Sequence, residues 1–426
     1  MLMNTLAKIW QYKDLRNKVL IVAGLLVLTR VIAHIPLPGV NLDQLRLFFE
    51  QNQIFGLLNM FSGGTISNFS IALMGVGPYI TSSIVFQLLV MIVPKLEELQ
   101  KEGEAGRNKI NQWTRMLTVP LSIVQGYSML YLLKSQGIIP SWTIWQLVIM
   151  LISITAGTMV LMWIGEIITE KGIGNGLSLI ISIGILAGLP SSIRNTASLI
   201  SVADTGKIIQ MIIFLIIAVL IVVGIVLVTE GVRNIPVSYA RRSRGVQSYS
   251  SLNTYLPIKV NTAGVIPIIF AMSLMIIPGV AGKFFSTANS EWLANAAKYT
   301  EKLFQNNLFY GIFYFILVVA FTYFYTSVVF KPDQIAENLQ KQGGFIPGIR
   351  PGSETIGYLG NIIVRITLAS SIFLGVIAVL PYIMQAVTKI DTLVIGGTGV
   401  LIVVSVVIET MKQLQAQITM HTYENY

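Results

Sequence analysis

Residues 51–94 read QNQIFGLLNMFSGGTISNFSIALMGVGPYITSSIVFQLLVMIVP, and no Asp, Glu, Lys or Arg occurs between Gln51 and Pro94. One crossing of a hydrocarbon core needs about 20 helical residues, so the stretch is too long for a single span. Ser62-Gly63-Gly64 interrupts it. Two elements are implied: a span over Phe69–Val93, and before it a piece around Ile54 to Phe61 that is too short to cross. Non-helical backbone at membrane depth must be buried in protein, so the short piece reads as re-entrant or interfacial. A simple external loop helix is the alternative.

The same signature recurs along the chain. Eight other charge-free segments of sufficient length lie at Met116–Leu133, Trp142–Gly165, Ile173–Ile193, Ile208–Thr229, Val260–Gly282, Leu303–Phe330, Ile366–Thr388 and Thr392–Ile408. Val19–Ile35, interrupted by Arg30, makes ten spans in all. Composition agrees: 54% of the 426 residues are hydrophobic, 11% are charged, and mean hydropathy is +0.72, whereas soluble domains are about a quarter charged. The expectation is one all-α membrane domain. Lys8, Lys13, Arg16 and Lys18 precede the first span. With no small-residue cleavage site behind it, residues 1–18 read as a cytoplasmic anchor rather than a cleaved leader.

Basic residues orient the spans. Of the 29 Lys and Arg, nineteen fall on the face that holds both termini, eight on the other, and Arg30 and Arg365 lie in or near spans. By the positive-inside rule both termini are cytoplasmic. The net charge of +10 follows from the same rule and requires no nucleic acid.

Absences narrow the function. There is no cysteine, and the two histidines, His34 and His421, sit at opposite ends of the sequence, so no metal or cofactor site is expected. Gly172-Ile173-Gly174-Asn175-Gly176 lacks the GK[ST] ending of a phosphate loop. Arg30, Glu166, Arg365 and Glu409 stand near span ends, where long side chains reach the interface. No ionisable set lies in mid-membrane to couple transport to ions, and no convergent catalytic set marks a membrane enzyme. The polar content is neutral: Gly75, Gly77, Thr81, Ser82, Ser83 and Gln87, then Asn175 and Ser178, Asn261 and Thr262, and Gly396 to Gly399. It serves either close helix packing or a neutral aqueous funnel. A secondary transporter built from inverted repeats is the leading alternative to a passive pore. The cytoplasmic loops near 230–259 and 331–358 exceed what topology needs, as a platform for a large partner would.

These residues carry a resemblance. Ile35-Pro36-Leu37-Pro38-Gly39, Met74-Gly75-Val76-Gly77-Pro78-Tyr79-Ile80 through Gln87, Glu102-Gly103-Glu104-Ala105-Gly106-Arg107, Gly165-Glu166 through Gly176, Ile235-Pro236-Val237-Ser238-Tyr239-Ala240, Leu256-Pro257-Ile258-Lys259-Val260-Asn261 through Pro267, Gly343-Gly344-Phe345-Ile346-Pro347-Gly348-Ile349-Arg350-Pro351-Gly352 and Gly396-Gly397-Thr398-Gly399 follow one another in order. Together they resemble the SecY family of protein-conducting channels over nearly the whole chain.

The resemblance implies ten helices in two inverted five-helix halves, 19–193 and 194–411, with a cytoplasmic tail at 412–426. It implies a waist of apolar side chains at Val76, Ile80, Ile181, Ile269 and Ile402, with Val76 standing where isoleucine is common. Such a ring excludes water and ions yet binds nothing specifically. Residues 54–66 resemble the family's plug, carried by Ile54, Gly56, Leu57, Leu58, Met60, Phe61, Gly63 and Gly64. Spans two and three with seven and eight imply a lateral gate to lipid for signal peptides and nascent chains. Arg241, Arg242, Arg244 and Arg350 match the loops that dock the ribosome, through its RNA, or the motor ATPase SecA. Small SecE-like and SecG-like membrane subunits are the implied partners, a bacterial plasma membrane the implied location, and the chain itself no enzyme.

Overall fold

The computed structural model describes residues 10, 12–37, 65, 69–135, 139, 142–171, 173–198, 205–239, 254–285, 291–388 and 397–424. Each of the ten apolar segments contains a helix. In chain order they are α1 (Lys13–Ile32), α2 (Gly77–Ile92), α4 (Glu104–Ser135), α5 (Ile144–Glu170), α6 (Gly176–Ser198), α7 (Thr205–Glu230), α8 (Ile266–Phe285), α10 (Asn307–Val329), α12 (Ser353–Thr388) and α13 (Gly397–Glu424). Three shorter helices join them: α3 (Pro94–Lys101), α9 (Glu291–Gln305) and α11 (Pro332–Lys341). Among the described residues, five helices are long and apolar enough to cross a membrane, or six if the bent pair α2–α3 is one span. Shorter apolar stretches lie in α6, α7 and α8, at Gly176–Gly188, Leu215–Glu230 and Ile266–Met275.

Local chemistry sets the boundaries. Val93 precedes Pro94 and is extended (φ −102°, ψ 109°), as proline's ring demands of the residue before it. The chain turns there by 101° into α3. Thr143 and Gln146 close a capping box on α5, each side chain accepting from the other's backbone N–H, so two of the donors that a helix start leaves open are used. Asn306 accepts from the N–H groups of Leu308 and Phe309 and caps α10.

The helices pack as two sets with one contact pattern. In the first set α2 packs on α4, α4 on α5, α5 on α6, and α1 on both α5 and α6. In the second, α8 packs on α10, α10 on α12, α12 on α13, and α7 on both α12 and α13. Replacing α1, α2, α4, α5 and α6 by α7, α8, α10, α12 and α13 turns one description into the other. The sets meet where α2 and α4 touch α8 and where α6 touches α13.

Strands β1 (Val232–Tyr239), β2 (Thr254–Lys259) and β3 (Gly344–Phe345) form a sheet ordered β2-β1-β3. Both pairings are antiparallel, with Ile235 opposite Leu256 and Tyr239 opposite Gly344. This sheet was not expected, because its residues read as projecting loops. Ile235 and Val237 alternate inward on β1, as a half-buried strand requires. Ile235, Ile258, Ile346, Leu359 and Ile363 make a small core beneath the sheet, separate from the main one. The described parts of these loops, residues 232–239, 254–259 and 344–346, thus form one folded platform packed on the start of α12.

Candidate functional site

The five expected waist residues, Val76, Ile80, Ile181, Ile269 and Ile402, are each between 1% and 8% exposed and belong to the main apolar core, which also takes in residues as distant as Leu15 and Ile418. Val76 precedes α2, and Ile80, Ile181, Ile269 and Ile402 lie on α2, α6, α8 and α13, helices that, with α4, make the contacts between the two sets. Branched aliphatics offer no hydrogen-bonding group, so water and ions gain nothing by entering between them.

Two of these helices begin in the same way. Gly75-Val76-Gly77-Pro78-Tyr79-Ile80 and Gly264-Val265-Ile266-Pro267-Ile268-Ile269 align residue for residue. Gly75 (φ +53°) and Gly264 (φ +62°) both take the left-handed conformation that glycine adopts without a Cβ clash. Helix starts two residues later in each. Proline follows in the first turn, where its missing N–H has no intrahelical partner to lose. The N–H of Ile80 donates to Val76 O at 3.1 Å, and that of Ile269 to Val265 O at 3.3 Å. The repeat delivers Ile80 and Ile269 at equivalent places one turn into the helix. Sequence reading did not find it, although a glycine, a valine, a proline and an isoleucine at one spacing were the available signal. Val265 also shows that Val76 has a valine as its counterpart.

The neutral polar residues are largely engaged in holding helices. Ser82 Oγ donates to Thr114 O at 2.7 Å, and Gln125 Nε2 to Thr81 Oγ1 at 3.4 Å, so both tie α2 to α4. Asn175 Oδ1 accepts from the Ser178 N–H at the start of α6. Asn261 Nδ2 donates to Gly264 O in the turn before α8. Of the two readings open for these residues, packing accounts for Thr81 and Ser82, while Asn175 and Asn261 brace the turns that lead into α6 and α8. Glu166 forms an ion pair of 2.7 Å with Arg115, as a span-end carboxylate would.

A cavity of about 420 Å³ opens where α2, α3 and α4 face the end of α10. Ser83, Gln87 and Asn111 line its interior, and Arg107 and Lys331 are among the residues of its wall.

Arg350 is exposed on the platform, in a turn where Thr355 Oγ1 donates to its carbonyl at 2.9 Å. Arg241, Arg242 and Arg244 fall in the connection between β1 and β2 and lie outside the described residues. So do the expected plug residues Ile54, Gly56, Leu57, Leu58, Met60, Phe61, Gly63 and Gly64, and Gly396. Among the described residues no group of His, Cys, Asp or Glu could hold a metal.

A bundle of apolar helices in two like-built sets, at least five of the helices long and apolar enough to cross a bilayer, is the architecture of an integral membrane protein. Comparison with known proteins makes this specific. The SecY family model matches residues 70–411. A protein translocase subunit SecY of Mycobacterium bovis is 41% identical, with 97% of each chain covered. That of Halalkalibacterium halodurans is 42% identical over 99% of each. Among solved structures, a protein-conducting channel superposes with a TM-score of 0.64 at 20% identity, covering 94% of this chain and 91% of the other. Sec61 in a canine ribosome–channel complex gives 0.61 at 21%, over the same shares. The chain belongs to the SecY family, and its function is that of a protein-conducting channel subunit.

Proposed function

We propose that the aliphatic cluster at Val76, Ile80, Ile181, Ile269 and Ile402 is the waist through which unfolded polypeptide passes, and that the contact of α2 and α4 with α8 and α10 is the seam that opens to lipid. The observation that carries the reading is that those five aliphatic residues, drawn from both sets, are all buried in the main apolar core. All ten apolar segments then cross the membrane, as two inverted halves. The matching contact patterns of the two sets and the repeated start of α2 and α8 support the pairing of halves. The basic-residue count supports cytoplasmic termini and, with them, a cytoplasmic platform; the bacterial relatives support a plasma membrane.

In this reading residues 54–66 close the waist from the external side. Arg350, with Arg241, Arg242 and Arg244, docks the ribosome or SecA, whose energy moves the chain. The Sec61 neighbour was solved on a ribosome, which supports a platform of this kind. SecE-like and SecG-like helices cover part of the apolar exterior. A signal sequence enters by the cavity beside the seam, because leaving water for lipid stabilises it by about 25 cal/mol per Å² of apolar surface. The pore itself performs no catalysis, and a coupled secondary transporter is disfavoured by the lack of mid-membrane ionisable groups.

Photo-cross-linkers placed at Gln87 and at Val226 test this. Val226 is an exposed position on α7, away from the seam. An arrested secretory chain is expected to cross-link through its signal sequence from 87 and not from 226. Equal labelling from both sites would contradict the placement of the seam.

A further inference from the structure

Helix α9 (Glu291–Gln305) carries three kinds of residue on three faces. Trp292 and Tyr299 are 77% and 66% exposed, while Ala297 and Phe304 are 7% and 9% exposed. Lys298 and Lys302 are exposed. At 3.6 residues per turn each pair forms one stripe, and the three stripes lie roughly 120° apart. The Ala297 and Phe304 stripe is the protein side, where the Phe304 ring meets Phe309, Tyr310 and Phe313 with centroids 5.7, 6.4 and 5.9 Å away. The lysine stripe suits water or phosphate. The aromatic stripe faces neither protein nor the charged side, yet it holds the two largest side chains among those six residues.

Its surroundings say what covers it. α9 follows the end of α8 remote from the sheet, and packs on α8 and α10. Leu308, Ile312 and Ile316 make an exposed apolar stripe on α10 that begins three residues after α9 ends. The aromatic stripe therefore lies on a helix packed against a membrane helix that itself begins with an exposed apolar stripe. Tryptophan and tyrosine favour the headgroup level, where an apolar ring body and a polar edge are both accommodated, and lysines beside them can reach lipid phosphates.

We infer that α9 is an interfacial helix lying in the headgroup region of the leaflet opposite the platform, with Trp292 and Tyr299 in the lipid. It thereby ties the far end of α8, the helix carrying Ile269, to that leaflet. The lipid contact does not depend on the function proposed above; naming the external leaflet rests on the orientation proposed there.

Because the chain has no cysteine, single-cysteine variants Ala296→Cys and Lys298→Cys can carry spin labels in the full chain, reconstituted in phosphatidylethanolamine–phosphatidylglycerol vesicles. The expected result is a several-fold higher ratio of oxygen to aqueous nickel-chelate collision at 296 than at 298. Equal, water-like accessibility at the two sites would overturn the inference. Labelling Lys298→Cys with an impermeant maleimide, in vesicles of each orientation, reads sidedness separately. Reaction only from the cytoplasmic side would refute the leaflet assignment and, with it, the topology, while leaving the lipid contact to the first measurement.

Discussion

Gly174 donates its backbone N–H to the Gln413 side-chain oxygen at 2.6 Å, across 239 positions of sequence. The bond ties the turn between α5 and α6 to α13, joining the two sets of helices where α6 and α13 pack. Neighbouring bonds fix the same turn: Thr169 Oγ1 donates to Gly165 O and accepts from the Gly176 N–H, both at 2.9 Å. This junction is braced by specific hydrogen bonds, whereas α2 and α8 contribute the buried aliphatic side chains Ile80 and Ile269 to the core.

Gln413→Leu keeps the volume near Gly174 but removes the acceptor. A partly buried N–H left without a partner costs about 1–2 kcal/mol. Thermal unfolding of the purified chain in mild detergent is expected to shift down, with Gln413→Glu, which retains an acceptor, nearer the parent.

Gly176→Ala tests how tightly the same turn is packed. A Cβ there would lie 1.9 Å from Gly165 O and 2.9 Å from Ile168 Cβ, so backbone must move. Overpacking of this kind costs about 1–3 kcal/mol. Gly188→Ala in the same helix meets nothing within 4 Å and is expected to be neutral or stabilising, by up to about 1 kcal/mol of helix propensity. The two melting temperatures measured side by side decide this.

Arg350→Glu is expected to weaken ribosome or SecA binding without changing the melting temperature. The turn is held by the Arg350 carbonyl and by its N–H, which donates to Glu354 Oε2 at 3.3 Å, and neither depends on the side chain. Co-sedimentation with ribosomes, paired with the melt, separates docking from folding.

Glu97 and Glu337 are paired with Lys101 and Lys341 at 2.8 and 2.7 Å on exposed helix faces. The hydrogen bond and charge of each lysine hold the carboxyl below its ordinary value. A depressed carboxylate contributes stability that is present above its unfolded-state pKa and lost as pH falls through the folded-state one. Protection factors of the α3 and α11 amides, corrected for the intrinsic pH dependence of exchange, should fall only on acidification below the ordinary carboxylate range, and Glu97→Gln should remove that fall from α3. Protection factors in the parent that do not change with acidification would count against it.

Charge-free length was enough to locate nine helices, because a hydrocarbon core penalises ionised groups strongly, and the apolar stretch around Arg30 gave α1. The same criterion could not find their ends. α4 starts at Glu104 and α12 at Ser353, well before their apolar parts at Met116 and Ile366, since helices continue into water where charge costs little. It also passed over α9, whose signal is the 3.6-residue recurrence of Ala297, Thr300 and Phe304 within a mixed-charge stretch. Strands β1 and β2 were hidden by Pro236 and Pro257, residues that ordinarily argue against a central strand. The waist residues were named from the resemblance alone; isoleucine in a membrane helix carries no mark of whether it faces lipid or a pore. What distinguishes Ile80 and Ile269 physically is the shared glycine–valine–proline entry, visible as a repeat only once both helix starts are seen.

The aliphatic waist is tested most directly by Ile402→Asn and Ile269→Asn, each reconstituted and assayed for ion conductance and for export of a substrate with a weakened signal sequence. A polar side chain at a closed apolar ring admits water, so both ion leak and export of the weak-signal substrate are expected to rise. Parent-like conductance together with parent-like signal stringency, in variants that fold and insert normally, would contradict the assignment of these residues to the waist.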